Sequence, residues 1–140
     1  MTGSCHCGNV HVTVQLAAAP GGYHPRACDC DFCRRHGAAY VSDPCGALLL
    51  RATDPGAVAH YRQGDALADM LLCRTCGVLL GALHGSAARL YGVVNARVLA
   101  GAESFAAEQA VTPRTLSAAE KVSRWHRLWF CDVSAANLHS

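Results

Sequence analysis

Three cysteines fall within six positions in the stretch ACDCDFCRR, Ala27 to Arg35: Cys28, Cys30 and Cys33, followed directly by Arg34 and Arg35. Two more sit in GSCHCGNV as Cys5 and Cys7, and another two in CRTCG as Cys73 and Cys76. Thiols so crowded support a disulfide knot, a redox dithiol or metal ligation. The chain has nine cysteines, an odd number, and Met1 to Val10 lacks the basic start and apolar run of a secretory signal. The expected setting is therefore a reducing cytoplasm, where a disulfide framework is disfavoured. A redox pair at Cys73 and Cys76 would open a helix within a βαβ unit, whereas Gly77 and Gly81 punctuate an apolar run here. Metal ligation is the default that remains.

The spacings divide the thiols unevenly. Cys5 and Cys7, two apart at the edge of a first strand, would point to one face, and the two-residue gap of Cys73 and Cys76 lets both sulfurs approach a zinc ion at about 2.3 Å. Together they make four thiolates, a closed tetrahedral shell that marks a structural zinc. Cys28, Cys30 and Cys33 supply three ligands and leave one position for water or substrate, the pattern of a chemical zinc. The alternative is a second structural site whose fourth ligand is Cys45, a histidine or an aspartate. Cys45 and Cys131 otherwise read as half-buried packing residues. Of eight histidines, His36 is placed to move a proton because it follows Cys33 by three positions; a surface histidine is its plain alternative. Arg34 and Arg35 could clamp a substrate carboxylate, form a solvated pair, or offset thiolate charge. Asp29 and Asp31 read as solvated.

The elements that must position these groups are short. NVHVTVQL, Asn9 to Leu16, alternates as a half-buried strand, and the AAAPGGYHP loop delivers the chain to the thiol triad. AAYVS, ALLLRA and AVAHYRQG read as further strands, MLLCRTCGVLLGAL carries the second thiol pair between two apolar runs, and ARLYGVV completes an antiparallel series. Helix is expected only in the tail, about 117–130, where Ser117 and Glu120 make a capping box and Ala118, Val122, Trp125 and Trp129 recur at helical spacing as a packing face. With 140 residues and no repeat or linker, one mostly β domain spanning 1–140 is expected. The 12 basic residues barely exceed the 10 acidic ones, and seven thiolates around two zinc ions remove even that excess, so no nucleic-acid partner is expected. No segment reaches the roughly 18 apolar residues of a membrane helix.

The motifs G-x-C-x-C-G at Gly3 to Gly8, C-x-C-x-x-C-R-R at Cys28 to Arg35 and C-x-x-C-G at Cys73 to Gly77 resemble the glutathione-dependent formaldehyde-activating enzyme family, which also includes centromere protein V, over about residues 3–100. The resemblance implies a β-tent of small antiparallel sheets pinned by zinc. It implies a structural zinc on Cys5, Cys7, Cys73 and Cys76 and a second, labile zinc on Cys28, Cys30 and Cys33. It also implies a carbon–sulfur lyase acting on the adduct of a small thiol, glutathione, with an aldehyde, formaldehyde. The chain departs from the pattern at His36-Gly37 and Leu71-Leu72. The alternative function is a non-catalytic zinc-binding module for a protein or nucleic-acid partner.

Overall fold

Val10, Val12 and Val14 alternate with His11, Thr13 and Gln15, so this segment buries one face only. The computed structural model, which describes residues 1–86, 88–135 and 137–138, makes it the second strand of a mostly β fold. In chain order the strands are β1 (Thr2–Ser4), β2 (Val10–Gln15), β3 (Arg26–Cys28), β4 (Ala39–Val41), β5 (Ala47–Ala52), β6 (Val58–Tyr61), β7 (Asp69–Cys73), β8 (Leu79–Ser86), β9 (Arg89–Asn95), β10 (Gln109–Val111) and β11 (Asp132–Ser134). The α-helices are α1 (Asp31–His36) and α2 (Ala118–Leu128).

The strands form two sheets, one of four strands in the order β1-β2-β5-β11 and one of seven in the order β10-β3-β4-β9-β8-β7-β6. Most neighbours are antiparallel, as the sequence predicts. Two pairs are parallel, β10 with β3 and β11 with β5, and both use a three-residue strand from the tail. Such short strands have no periodicity to read; they are fixed by the partner they find.

The smaller sheet buries Val10, Val12, Val14, Leu48 and Leu50 against the larger one and turns His11, Thr13, Leu49 and Arg51 outward. The larger sheet is covered on both faces. Along β8, Leu80 and Leu83 belong to the core between the sheets while Leu79 and Ala82 belong to a second core, and β9 splits Val94 from Val93 in the same way. A strand buried on both faces reads as a continuous apolar run, which is what MLLC and VLLGAL are. The second core is closed by α2 through Trp125 and Trp129. α2 begins at the capping box the sequence predicts: Glu120 N–H donates to Ser117 Oγ at 3.2 Å and Ser117 N–H to Glu120 Oε1 at 2.9 Å. The helix α1, running through the thiol triad, is a correction to the expectation of helix only in the tail; six residues are too few for a periodic signal.

Candidate metal centres and the adjoining cavity

All nine cysteines are free thiols in the structure. Cys5, Cys7, Cys73 and Cys76 converge, their sulfurs lying within 4.8 Å of one another. Cys5 and Cys7 sit in the turn between β1 and β2 rather than on a strand edge, whereas Cys73 ends β7 and Cys76 lies in the turn that leads to β8. The two turns are built alike. Gly8 N–H donates to the Cys5 carbonyl at 3.2 Å and Gly77 N–H to the Cys73 carbonyl at 2.8 Å, and both glycines have positive φ, 84° and 81°, which lets the chain leave each turn without strain. Tetrahedral ligands about 2.3 Å from a zinc ion stand about 3.8 Å apart. The Cys5–Cys7 and Cys7–Cys73 sulfur separations are 3.7 and 3.5 Å, so the donor set fits one such ion in both softness and size. Burial works against ionising Cys76, but the backbone N–H groups of Cys7 and Val78, with the Cys73 and Cys5 thiols, outweigh it and bring its thiol down to about 6.

The second cluster lies with the other core. Cys28 ends β3, Cys30 caps the N-terminus of α1, and Cys33 lies in the first turn of that helix with its N–H donating to Cys30 Sγ at 3.3 Å. These three sulfurs also lie within 4.8 Å of one another. Hydrogen bonding from Cys33 is the main cause that lowers the Cys28 thiol to about 6 against its burial, while the same contact and burial push Cys33 up. Tyr40 places its hydroxyl 3.1 Å from Cys33 Sγ; burial first, then the neighbouring cysteines, raise the phenol, so it stays protonated and able to donate to the sulfur.

Unlike the tetrad, the triad opens onto a cavity of about 340 Å³. One wall is apolar: Met70, Ala82 and Val93 from the sheet face Trp125 of α2 and Trp129 at its C-cap. The lining also carries four cations, Arg26, Arg114, Lys121 and Arg124, against one carboxylate, Asp65. Arg114 pairs with Asp29 at 3.3 Å and Lys121 with Asp65 at 2.9 Å. Arg26 and Arg124 have no carboxylate partner among the described residues; Arg26 Nη2 donates to Ser42 Oγ at 2.6 Å. Burial, with the repulsion of Arg124, lowers the Arg26 guanidinium to about 10, and burial likewise lowers Arg124. Two desolvated cations side by side favour an anion between them.

The residues singled out in the sequence are distributed as follows. The seven clustered cysteines come together as a tetrad and a triad. Arg34 and Arg35 lie on the exposed side of α1, both reaching Asp31, at 3.1 and 3.8 Å, and do not line the cavity. His36 is exposed with its ring 4.7 Å from that of Phe32, also outside the lining. Cys131 is partly exposed and donates to the Pro44 carbonyl, whereas Cys45 is exposed rather than half-buried. Asp29 is held by Arg114 rather than simply solvated. Sequence reasoning missed Tyr40 and all four cavity cations. Arg26 had a signal: two positions before Cys28 on a strand, it must share that residue's face.

A family model described as glutathione-dependent formaldehyde-activating enzyme matches residues 1–115, which include both thiol clusters but end before α2. The fold is similar to the crystal structure of a Rhodobacter sphaeroides protein, with a TM-score of 0.55 and 33% sequence identity over 84% of this chain and 95% of that one. No curated protein matches the chain. With the motifs, their convergence in space and this match in agreement, the chain belongs to the glutathione-dependent formaldehyde-activating enzyme family.

Proposed function

We propose that this protein is a zinc-dependent carbon–sulfur lyase that forms or splits the adduct of a small thiol and an aldehyde, with glutathione and formaldehyde as the substrates its family implies. The observation that carries the reading is the contrast between the two clusters: four sulfurs closed on one another, and three that open onto a cation-lined cavity. Zinc on Cys28, Cys30 and Cys33 would supply Lewis acidity at the open position, lowering the pKa of a thiol and polarising a carbonyl. Cys5, Cys7, Cys73 and Cys76 would hold the structural zinc.

The chain's own groups do the rest. Arg26 and Arg124 take the carboxylates of the thiol carrier, a contact that the exposed Arg34 and Arg35 leave to them, and so fix where its sulfur lies. Tyr40 holds Cys33 Sγ by its hydroxyl. The apolar wall excludes water from the reacting atoms. In the forward direction the substrate sulfur bonds to the carbonyl carbon, the C=O electron pair moves onto oxygen, and the proton lost by the thiol ends there. The reverse breaks the carbon–sulfur bond, and neither direction consumes an oxidant or reductant. A reducing cytoplasm suits a protein with nine free thiols.

The deciding experiment compares the zinc-loaded protein with its Cys28→Ser variant. Zinc content is expected to fall from two ions per chain to one, and turnover of the glutathione–formaldehyde adduct to drop to the uncatalysed background. A variant that loses the ion and keeps the rate ends the lyase reading.

A further inference from the structure

Four of the residues lining this cavity come from α2 and its C-terminal cap, a segment that begins beyond residue 115, where the family match ends. Lys121, Arg124, Trp125 and Trp129 recur at three- and four-residue spacing, so one helical face reaches the cavity. Lys121 ties that face to Asp65, in the connection between β6 and β7. The two indoles stack with ring centroids 4.7 Å apart, and each is less than a tenth exposed. Across from them, the short side chain of Ala82 leaves the room that a leucine or phenylalanine at that position would fill.

The resulting slot does not suit an adduct of glutathione with formaldehyde alone. Glutathione is polar over most of its surface, and formaldehyde adds a single hydroxymethyl carbon. Arg26 and Arg124 answer the carboxylates, but the wall of Met70, Ala82, Val93, Trp125 and Trp129 then faces nothing that profits from leaving water. An aldehyde carrying an aryl or several-carbon alkyl body would fill it. We propose that α2 turns the family's site into one selective for adducts between an anionic thiol and an apolar aldehyde, with the aldehyde's body lodged between the tryptophan pair and the sheet. This inference rests on the cavity being the site of the thiol adduct, as proposed above.

The test uses the fact that the chain has two tryptophans, both in the slot. Their fluorescence reports occupancy directly. The zinc-loaded protein is titrated with S-methylglutathione, S-hexylglutathione and S-benzylglutathione, thioethers that cannot be turned over. The hexyl and benzyl compounds are expected to bind about tenfold or more tightly than the methyl compound, as burial of five or more additional carbons implies. Ala82→Leu, which narrows the slot, is expected to weaken S-hexylglutathione severalfold more than S-methylglutathione. Equal affinities for the three thioethers in the unmodified protein overturn the proposal whether or not the variant folds. Turnover with formaldehyde, hexanal and benzaldehyde separates the two readings. Size-dependent binding without turnover of any aldehyde sinks the lyase and leaves the slot, whereas turnover of formaldehyde with size-independent binding sinks the slot alone.

Discussion

Tyr40 is the side chain through which the triad is tied to the sheet, since its hydroxyl on β4 reaches Cys33 Sγ at 3.1 Å from within the second core. A buried thiolate with one donor fewer is a worse ligand, because the charge it must carry is less compensated. Tyr40→Phe keeps the ring and removes only that donor. The expected result is a fall of about tenfold in zinc affinity at the triad with the tetrad unchanged, read by competition against a chromophoric chelator. An unaltered affinity at both sites would leave Tyr40 as packing only. The two groups of cysteines were legible because such spacing is a local property: C-x-C and C-x-x-C each force one turn, and the turn brings both sulfurs together. The cavity cations were not, because they come from β3, the segment after β10 and α2, which meet only after folding. Arg34 and Arg35 drew attention by adjacency to Cys33, yet on a helix the next two residues rotate about 100° and 200° away from it, which here means into solvent.

Among the elements, β2 and α2 announce themselves through alternation and a capping box, whereas β1, β3, β10 and β11 are three-residue strands defined by their partners. What holds such short pieces in register is side-chain bonding to the backbone between them. Asp43 is the clearest case. Its Oδ2 accepts from Ala17 N–H at 2.9 Å and from the Tyr23 hydroxyl at 2.5 Å, and its Oδ1 accepts from Cys45 N–H at 2.8 Å, joining the exit of β2, the loop toward β3 and the turn before β5. Burial opposes its ionisation, but these three donors prevail and hold its pKa below the ordinary 3.8. A carboxylate depressed in the folded state contributes stability that is present above its unfolded pKa and lost as pH falls through the folded one. In Asp43→Asn, whichever way the amide turns, its NH2 faces another donor. The variant is expected to be less stable by about 1–3 kcal/mol at pH 7, measured by urea unfolding. The difference should shrink as the pH is lowered past 3.8; a gap independent of pH would mean that charge on Asp43 plays no part.

For the whole molecule, the two thiol clusters sit with different cores and hold different things together. Cys5 and Cys73 are buried in the core between the sheets, and the tetrad joins positions 66 residues apart, Cys7 to Cys73, so a metal there closes most of the β framework into a loop. Restraining a loop of that length removes about 4 kcal/mol of unfolded-chain entropy by the cross-link relation, a large share of the stability of any domain this size. The triad closes only a short stretch, Cys28 to Cys33, and its surroundings are packed by α2 and the larger sheet without it. Metal removal should therefore proceed in two stages. A mild chelator is expected to take the triad's zinc first, with the far-UV circular dichroism unchanged and the fluorescence of Trp125 and Trp129 altered, because the ion's ligands line the same cavity as the indoles. A stronger chelator then takes the tetrad's zinc and the sheet signal collapses with it, as when folding and binding free energies are one quantity. Cys73→Ser is expected to reproduce the second stage and Cys28→Ser the first. Loss of both ions in a single step, or release of the tetrad's ion with the sheet signal intact, would show that the framework does not depend on the closed cluster and would remove the division of labour between the two sites.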